Sequence, residues 1–286
     1  VYTAHILQAA GYTTGMFTSP YIETFEERIQ ANGQLISMDE LTKVTLDVKE
    51  KAEEVERETG EHPTEFELMT AVALCHFARC SCDIVVLEVG LGGRLDSTNI
   101  IDAPEVCAIS RIGLDHTALL GDTLAQVAGE KAGIIKQGSA VVSYPQEPEA
   151  AAVIAQAAAQ VGSSVAQPDF SQLSTGSTAL TSDEDGSELL VRTFSYGEYQ
   201  DLHTALLGEY QPGNAAFAIE IIRALQQRGW AISSEHVRAG IQAARWPGRF
   251  EVFPHVPGSP WIVVDGGHNP QGIEALRRTC EDVFPG

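Results

Sequence analysis

A short apolar run that ends on a carboxylate and a glycine-rich turn constrains this chain more than any other segment. It reads Ile84-Val85-Val86-Leu87-Glu88-Val89-Gly90-Leu91-Gly92-Gly93-Arg94-Leu95-Asp96. An uninterrupted apolar run of this length predicts a strand buried on both faces, the habit of parallel sheets. A charge at the end of such a strand is costly unless a cation or donor meets it. Parallel sheets collect their ligands at the carboxyl ends of strands. Glu88 therefore points to a bound metal, against the plainer alternative of a glycine turn with a solvated glutamate. A dinucleotide fold also sets glycines after a buried strand, but its G-x-G-x-x-G spacing fails here. Leu95 stands where the third glycine belongs. The turn is read instead as bringing backbone N–H groups, Arg94 and Asp96 against a ligand.

The rest of the chain alternates strand and helix patterns. Residues 2–10 read as a helix closed by Gly11, 13–18 as a strand ending at Ser19-Pro20, and 38–59 as a charged helix capped near Ser37 or Asp39. A helix opens at 62–67, and strands follow at 84–88, 106–112 and 140–144 with helices at 124–135 and 150–160. This order predicts an α/β class with a doubly wound, mostly parallel sheet. Residues 169–187, rich in Ser, Thr, Asp and Gly, read as a variable loop. Residues 189–207 alternate as a β-hairpin, and 214–228 and 233–243 as helices. Trp246-Pro247-Gly248-Arg249 reads as a hinge, after which 250–253 and 261–265 start a second, Rossmann-like α/β domain. The predicted domains are 1–244, a hinge at 245–250, and 251–286.

A length of 286 residues gives room for one large domain or two smaller ones. With a formal net charge of -21 and no basic patch, the chain is not expected to bind nucleic acid. No signal peptide and no membrane-length apolar run is visible. The five cysteines lack zinc spacing, and Cys80-x-Cys82 is too tight for the usual patterns, so reduced thiols and a cytoplasmic setting are expected. The chain opens without a methionine and stops just after a new strand and helix, so a fragment of a longer protein is expected.

Further polar groups fall at predicted strand ends. His116, in Asp115-His116, follows the next apolar strand and reads as a metal ligand beside Glu88, although alone it would more simply be structural. Ser19 could supply a hydroxyl to Mg²⁺ or merely shape its loop. Lys131, in Gly129-Glu130-Lys131-Ala132-Gly133, could be a surface charge, hold phosphate, or carry a carbamate as an anionic ligand. Asp265-Gly266-Gly267-His268-Asn269-Pro270 repeats the strand-end pattern, with helix capping as the alternative for Asn269.

Taken in order, several segments resemble the folylpolyglutamate synthase/dihydrofolate synthase family of the Mur ligase superfamily. They are Phe17-Thr18-Ser19-Pro20-Tyr21 with Glu27-Arg28-Ile29, residues 87–99, Leu114-Asp115-His116, Glu130 to Ile134, Gly248-Arg249-Phe250, and residues 265–270. The resemblance implies a P-loop-type central domain followed by the start of a C-terminal glutamate-ligase domain. It implies an ATP-dependent ligase that adds L-glutamate to folate or dihydropteroate through an acyl-phosphate, acting as a monomer. It further implies Ser19, Glu88 and His116 as magnesium ligands, with Lys131 carbamylated at a second metal. Glu88, His116 and Lys131 would be the catalytic set. Thr64, Glu65, Phe66, Glu67, Arg94 and Asp96 would contact the pterin-bearing substrate, and Asn214, Arg249, Asp265 and His268 would hold ATP.

The family's phosphate loop would precede Val1, and most of its C-terminal domain would follow Gly286. Little or no ligase activity is therefore expected of this polypeptide alone. The rivals are a sister Mur-type ligase acting on cell-wall precursors, an NAD-dependent oxidoreductase, and a non-catalytic binding remnant. Residues 64–67 and 91–99 favour folate over a nucleotide sugar. The failed glycine spacing disfavours the oxidoreductase.

Overall fold

The apolar run forms strand β4 (Ile84–Leu87) and pairs in parallel with β1 (Thr14–Phe17), with Phe17 opposite Leu87. The computed structural model describes residues 1–182, 188–253, 260–267 and 270–284. They divide into two units that are each discontinuous in sequence.

The first unit comprises residues 11–167 and 223–230. Its four-stranded sheet has the order β3-β2-β1-β4, with β2 (Ile29–Ala31) and β3 (Gln34–Leu35) antiparallel to their neighbours. Helices α2 (Met38–Thr59) and α3 (Glu65–Arg79) pack on each other and against this sheet. Ser37 starts α2 by accepting from the Glu40 N–H, and Gly60 ends it in the left-handed conformation. Thr64 and Glu67 start α3 through a reciprocal capping box. Phe17, Ile29, Ile36, Val44, Val72 and Phe77 form the core beneath this sheet. A second sheet, β5 (Val106–Ile109), β6 (Ala140–Ser143) and β7 (Val165–Ala166), is wholly parallel. Helices α5 (Leu124–Ala132) and α6 (Pro148–Gln160) cover it over a core of Ile109, Val127, Val141 and Ile154. Between β5 and α5 lies the short α4 (Thr117–Leu120).

The second unit comprises residues 1–10, 168–222 and 231–286. It holds α1 (Tyr2–Ala9), packed on α8 (Ser234–Ala243), and an antiparallel sheet of order β10-β9-β8. These strands are β8 (Leu173–Ser182), β9 (Glu188–Tyr196) and β10 (Tyr199–Thr204). Helix α7 (Gln211–Gln227) begins in this unit, which also holds the antiparallel pair β11 (Glu251–Val252) and β12 (Val263–Val264) and helix α9 (Pro270–Val283).

The structure corrects two expectations. Most of the expected loop at 169–187 is strand β8, paired with β9 from Leu173–Tyr196 to Ser182–Glu188. Its Ser and Gly residues are poor local signals for a strand and mask the strand-forming Thr residues between them, and a partner ladder supplies the order that composition does not. Residues 183–187 lie outside the described residues. Strands β4 and β5, expected to be neighbours, belong to separate sheets, and β5 ends at Ile109, well short of His116.

Candidate active site

The end of the β1–β4 pair joins two of the expected ligands. The register carries past Phe17–Leu87, and the Glu88 N–H donates to the Phe17 carbonyl at 2.9 Å. The Ser19 N–H then donates to Glu88 Oε2 at 2.8 Å. The bond uses the Ser19 backbone, so it fastens the two strand ends together and leaves an exposed carboxylate there, an oxygen donor of the kind that suits a hard cation such as Mg²⁺. Among the described residues no group of three His, Cys, Asp or Glu side chains is placed to hold a metal ion. Sparse protein ligation is itself the habit of magnesium, which keeps several waters.

After Glu88 the chain enters a pocket of about 220 Å³. Gly90, Leu91 and Gly92 line it from the turn, His116 and Asp115 from the loop after β5, and Lys131 from α5. His116 meets the Glu88 turn through this pocket rather than through adjacent strands. Its backbone is left-handed, at φ 49° and ψ 38°, and its N–H donates to Asp115 Oδ1 at 2.7 Å. Non-glycine residues rarely hold this conformation, and such strain gathers at functional sites. Lys131 is half-buried, and among the described residues its ammonium makes no hydrogen bond or ion pair. A lysine so placed is suited to an anion.

Packing and hydrogen bonds set the shape of the turn. Phe66 lies beneath Gly90, where an added Cβ would fall 2.5 Å from the ring. The Arg94 N–H donates to the Glu130 carbonyl at 2.9 Å, and its guanidinium reaches the Gly129 carbonyl at 2.9 Å and Glu130 Oε1 at 3.3 Å. Gly133 permits this docking, since a Cβ there would fall 2.4 Å from the Arg94 Cβ. Asp96 closes the turn by accepting from the Leu91 N–H and from both the N–H and hydroxyl of Thr98.

The residues expected to contact a pterin therefore have visible structural duties. Thr64 and Glu67 form the α3 capping box, Phe66 supports the turn, and Arg94 and Asp96 fasten it. Glu65 is exposed in the first turn of α3. Hydrogen bonds from the Thr64 side chain and N–H hold the Glu67 carboxyl below its ordinary range.

In the other unit, Asp265 accepts from the Phe250 N–H at 2.8 Å and the Gly267 N–H at 2.7 Å, and so joins Gly248-Arg249-Phe250 to the loop after β12. Arg249 and Asn214 are exposed, with the Asn214 amide 3.3 Å from Gln211 Oε1. His268 lies outside the described residues. Sequence reasoning missed Tyr210. Burial raises its hydroxyl pKa, with the Asp265 charge adding to the rise and the Arg249 charge opposing it. No strand-end pattern marks Tyr210, which precedes a helix.

All five cysteines are free, and no described helix is long and apolar enough to cross a membrane.

No family model matches the chain. It is 41% identical over 283 residues to the dihydrofolate synthase/folylpolyglutamate synthase of Bacillus subtilis, covering 98% of this chain and 64% of that protein. It is 36% identical to the folylpolyglutamate synthase of Lacticaseibacillus casei, again over 98% of this chain and 64% of the relative. Among solved structures, the apo form of the L. casei enzyme superposes with a TM-score of 0.86 at 35% identity, covering 99% of this chain and 68% of that one. A folylpolyglutamate synthase complex with AMPPCP and folate gives 0.85 at 35% identity, covering 100% of this chain and 68% of that one. The chain thus spans just under two thirds of these curated relatives, with their α/β architecture and at identities well above chance, and it belongs to the folylpolyglutamate synthase/dihydrofolate synthase family.

Proposed function

We propose that this chain is part of an ATP-dependent ligase that joins L-glutamate to folate or dihydropteroate. The observation that carries the reading is the meeting of the glycine turn, His116 and Lys131, which makes no ion pair among the described residues, around one pocket, with Ser19 and Glu88 joined at the adjacent strand ends. The solved relative described as a complex with AMPPCP and folate supports the choice of substrates.

In this reading a substrate carboxylate oxygen attacks the γ-phosphorus of ATP, and ADP leaves. The amino nitrogen of glutamate then attacks the acyl carbon, phosphate departs, and the nitrogen loses a proton. Ser19, Glu88 and His116 would hold magnesium, which supplies positive charge against the phosphates when bound. Lys131 offers a cation to the transferring phosphoryl group, or, as a carbamate, an anion to a second metal. A mass increment of one CO₂ on Lys131 in intact-protein mass spectrometry would distinguish the second role. Arg249, Asp265, Asn214 and His268 hold the nucleotide, and Arg94, Asp96 and residues 64–67 shape the folate site. Residues 1–244 serve as the central ATPase-type domain, 245–250 as a hinge and 251–286 as the start of the ligase domain. The enzyme works as a cytoplasmic monomer.

Phosphate release by the full-length protein tests the reading. Release should require ATP, glutamate and either folate or dihydropteroate together. Release that instead requires a UDP-sugar peptide would move the protein to a sister ligase.

A further inference from the structure

The loop between β1 and β2 holds a cation that makes no ion pair among the described residues. The Arg28 guanidinium carbon lies 5.0 Å from the centre of the Tyr21 ring and 5.9 Å from that of Phe25. The two rings brace each other edge to face at 6.1 Å. Arg28 Nε is shut off from solvent and has no hydrogen-bond partner. The terminal nitrogens make no hydrogen bond or ion pair among the described residues, and they are not sealed off as Nε is.

The neighbouring acid does not serve it. Glu27 spends its carboxylate on the N–H groups of Ile22, Glu23 and Thr24 at 2.7–2.8 Å. The sealed Nε cannot meet an incoming anion, but the accessible terminal nitrogens can, and a charge-assisted hydrogen bond there favours one. A guanidinium stacked on aromatic rings keeps its edge donors free for a planar, two-oxygen acceptor. The loop starts at Ser19, whose N–H meets Glu88, and returns at Arg28, whose carbonyl accepts from the Thr18 N–H at 3.0 Å. Arg28 is thereby tied to the strand end that carries Glu88.

We propose that Arg28, seated on Tyr21 and Phe25, binds a carboxylate of a substrate. This rests on the ligase reading for the identity of the carboxylate, which belongs either to the folate substrate or to free L-glutamate.

Equilibrium titrations of the full-length protein with folate, L-glutamate and Mg-AMPPCP separate these sources. Arg28→Gln should weaken folate or L-glutamate binding by about 10- to 100-fold, the worth of a hydrogen-bonded charge, and leave Mg-AMPPCP unchanged. Arg28→Lys, which keeps the charge and loses the fork, should fall between. The ligand whose affinity moves identifies the source. Equal affinities in wild type and Arg28→Gln overturn the proposal, as does a wild type that binds neither carboxylate ligand. A parallel loss of all three ligands together with a lowered Tm also overturns it, because that marks a structural role. The ligase reading fails separately, if wild type turns over neither folate nor dihydropteroate with ATP and glutamate.

Discussion

The backbone N–H of Ser19 donates to Glu88 Oε2 at 2.8 Å, across the ends of two parallel strands. This bond ties the loop that follows β1 to the turn that follows β4. The carboxylate therefore has a structural duty and, in the proposed function, a metal-binding one, and substitution can separate them. Glu88→Gln keeps an oxygen for the Ser19 N–H, so Tm should stay close to wild type. Loss of the charge should cut magnesium-dependent turnover by about 100-fold or more, since a metal's contribution is several kcal/mol. Phosphate release measured against magnesium concentration checks this, and undiminished turnover would remove Glu88 from the metal site.

Gly133 and Arg94 set the fit of the glycine turn against α5. An added Cβ at 133 would fall 2.4 Å from the Arg94 Cβ and 2.5 Å from its Cα. Gly133→Ala should cost about 1–3 kcal/mol, as overpacking against backbone usually does. The urea midpoint should fall, and an unchanged midpoint would show that the turn yields freely.

Asp96 accepts from the Leu91 N–H, the Thr98 N–H and the Thr98 hydroxyl. Asp96→Ala should therefore destabilise by about 1–2 kcal/mol, the range for losing a cap. Hydrogen exchange at Leu91 and Thr98 should quicken specifically. Protection equal to wild type at both amides would mean that the carboxylate does not hold the turn.

The capping box of α3 predicts a pH dependence. Thr64 hydrogen bonds hold the Glu67 carboxyl below its ordinary 4.5. A carboxyl whose folded pKa is depressed stabilises the fold above the unfolded value, and that contribution is lost as pH falls through the folded one. Wild type should therefore lose stability below pH 4.5 more steeply than Glu67→Gln, whose amide does not titrate. Glu67 is exposed, so the difference should stay within about 1 kcal/mol. Urea unfolding of both proteins from neutral pH into the acid range tests it, and parallel curves would refute it.

Arg192 lies in β9 at 2% exposure, donates through Nε and Nη2 to the Leu207 carbonyl at 3.0 and 2.8 Å, and pairs with Asp282 of α9. Arg192→Leu would leave that carbonyl without its donor, at about 1–3 kcal/mol, and free the Asp282 charge. Asp282→Asn should cost less, because Asp282 is half exposed and Arg192 keeps Leu207. Chemical denaturation of the two variants gives the order, and a larger loss in Asp282→Asn would reverse the argument.

Local chemistry made much of this legible in the sequence. Ser37, Thr64 and Gly60 mark helix ends by hydrogen bonds that close within a few residues. The apolar run at 84–87 was legible as a parallel strand, but its expected burial on both faces was not met, because β4 is the edge strand of its sheet and its four residues are half-buried. Ser19 and Glu88 were each legible as strand-end residues, but the hydrogen bond that joins them was not. Strand β8 was not legible, since its Ser and Gly residues read as loop and the order they lack locally comes from the β9 ladder.

What the sequence determined by itself was therefore short-range: caps, periodicity, and which polar groups end apolar strands. Only the tertiary structure decided that β4 and β5 lie in different sheets and that His116 and Lys131 meet the glycine turn across a pocket. It also decided that Arg94 and Asp96 fasten that turn and that Arg28 makes no ion pair among the described residues. Such outcomes depend on which distant surfaces come together. Long-range packing sets them through the shared burial of many groups, a quantity no local pattern encodes.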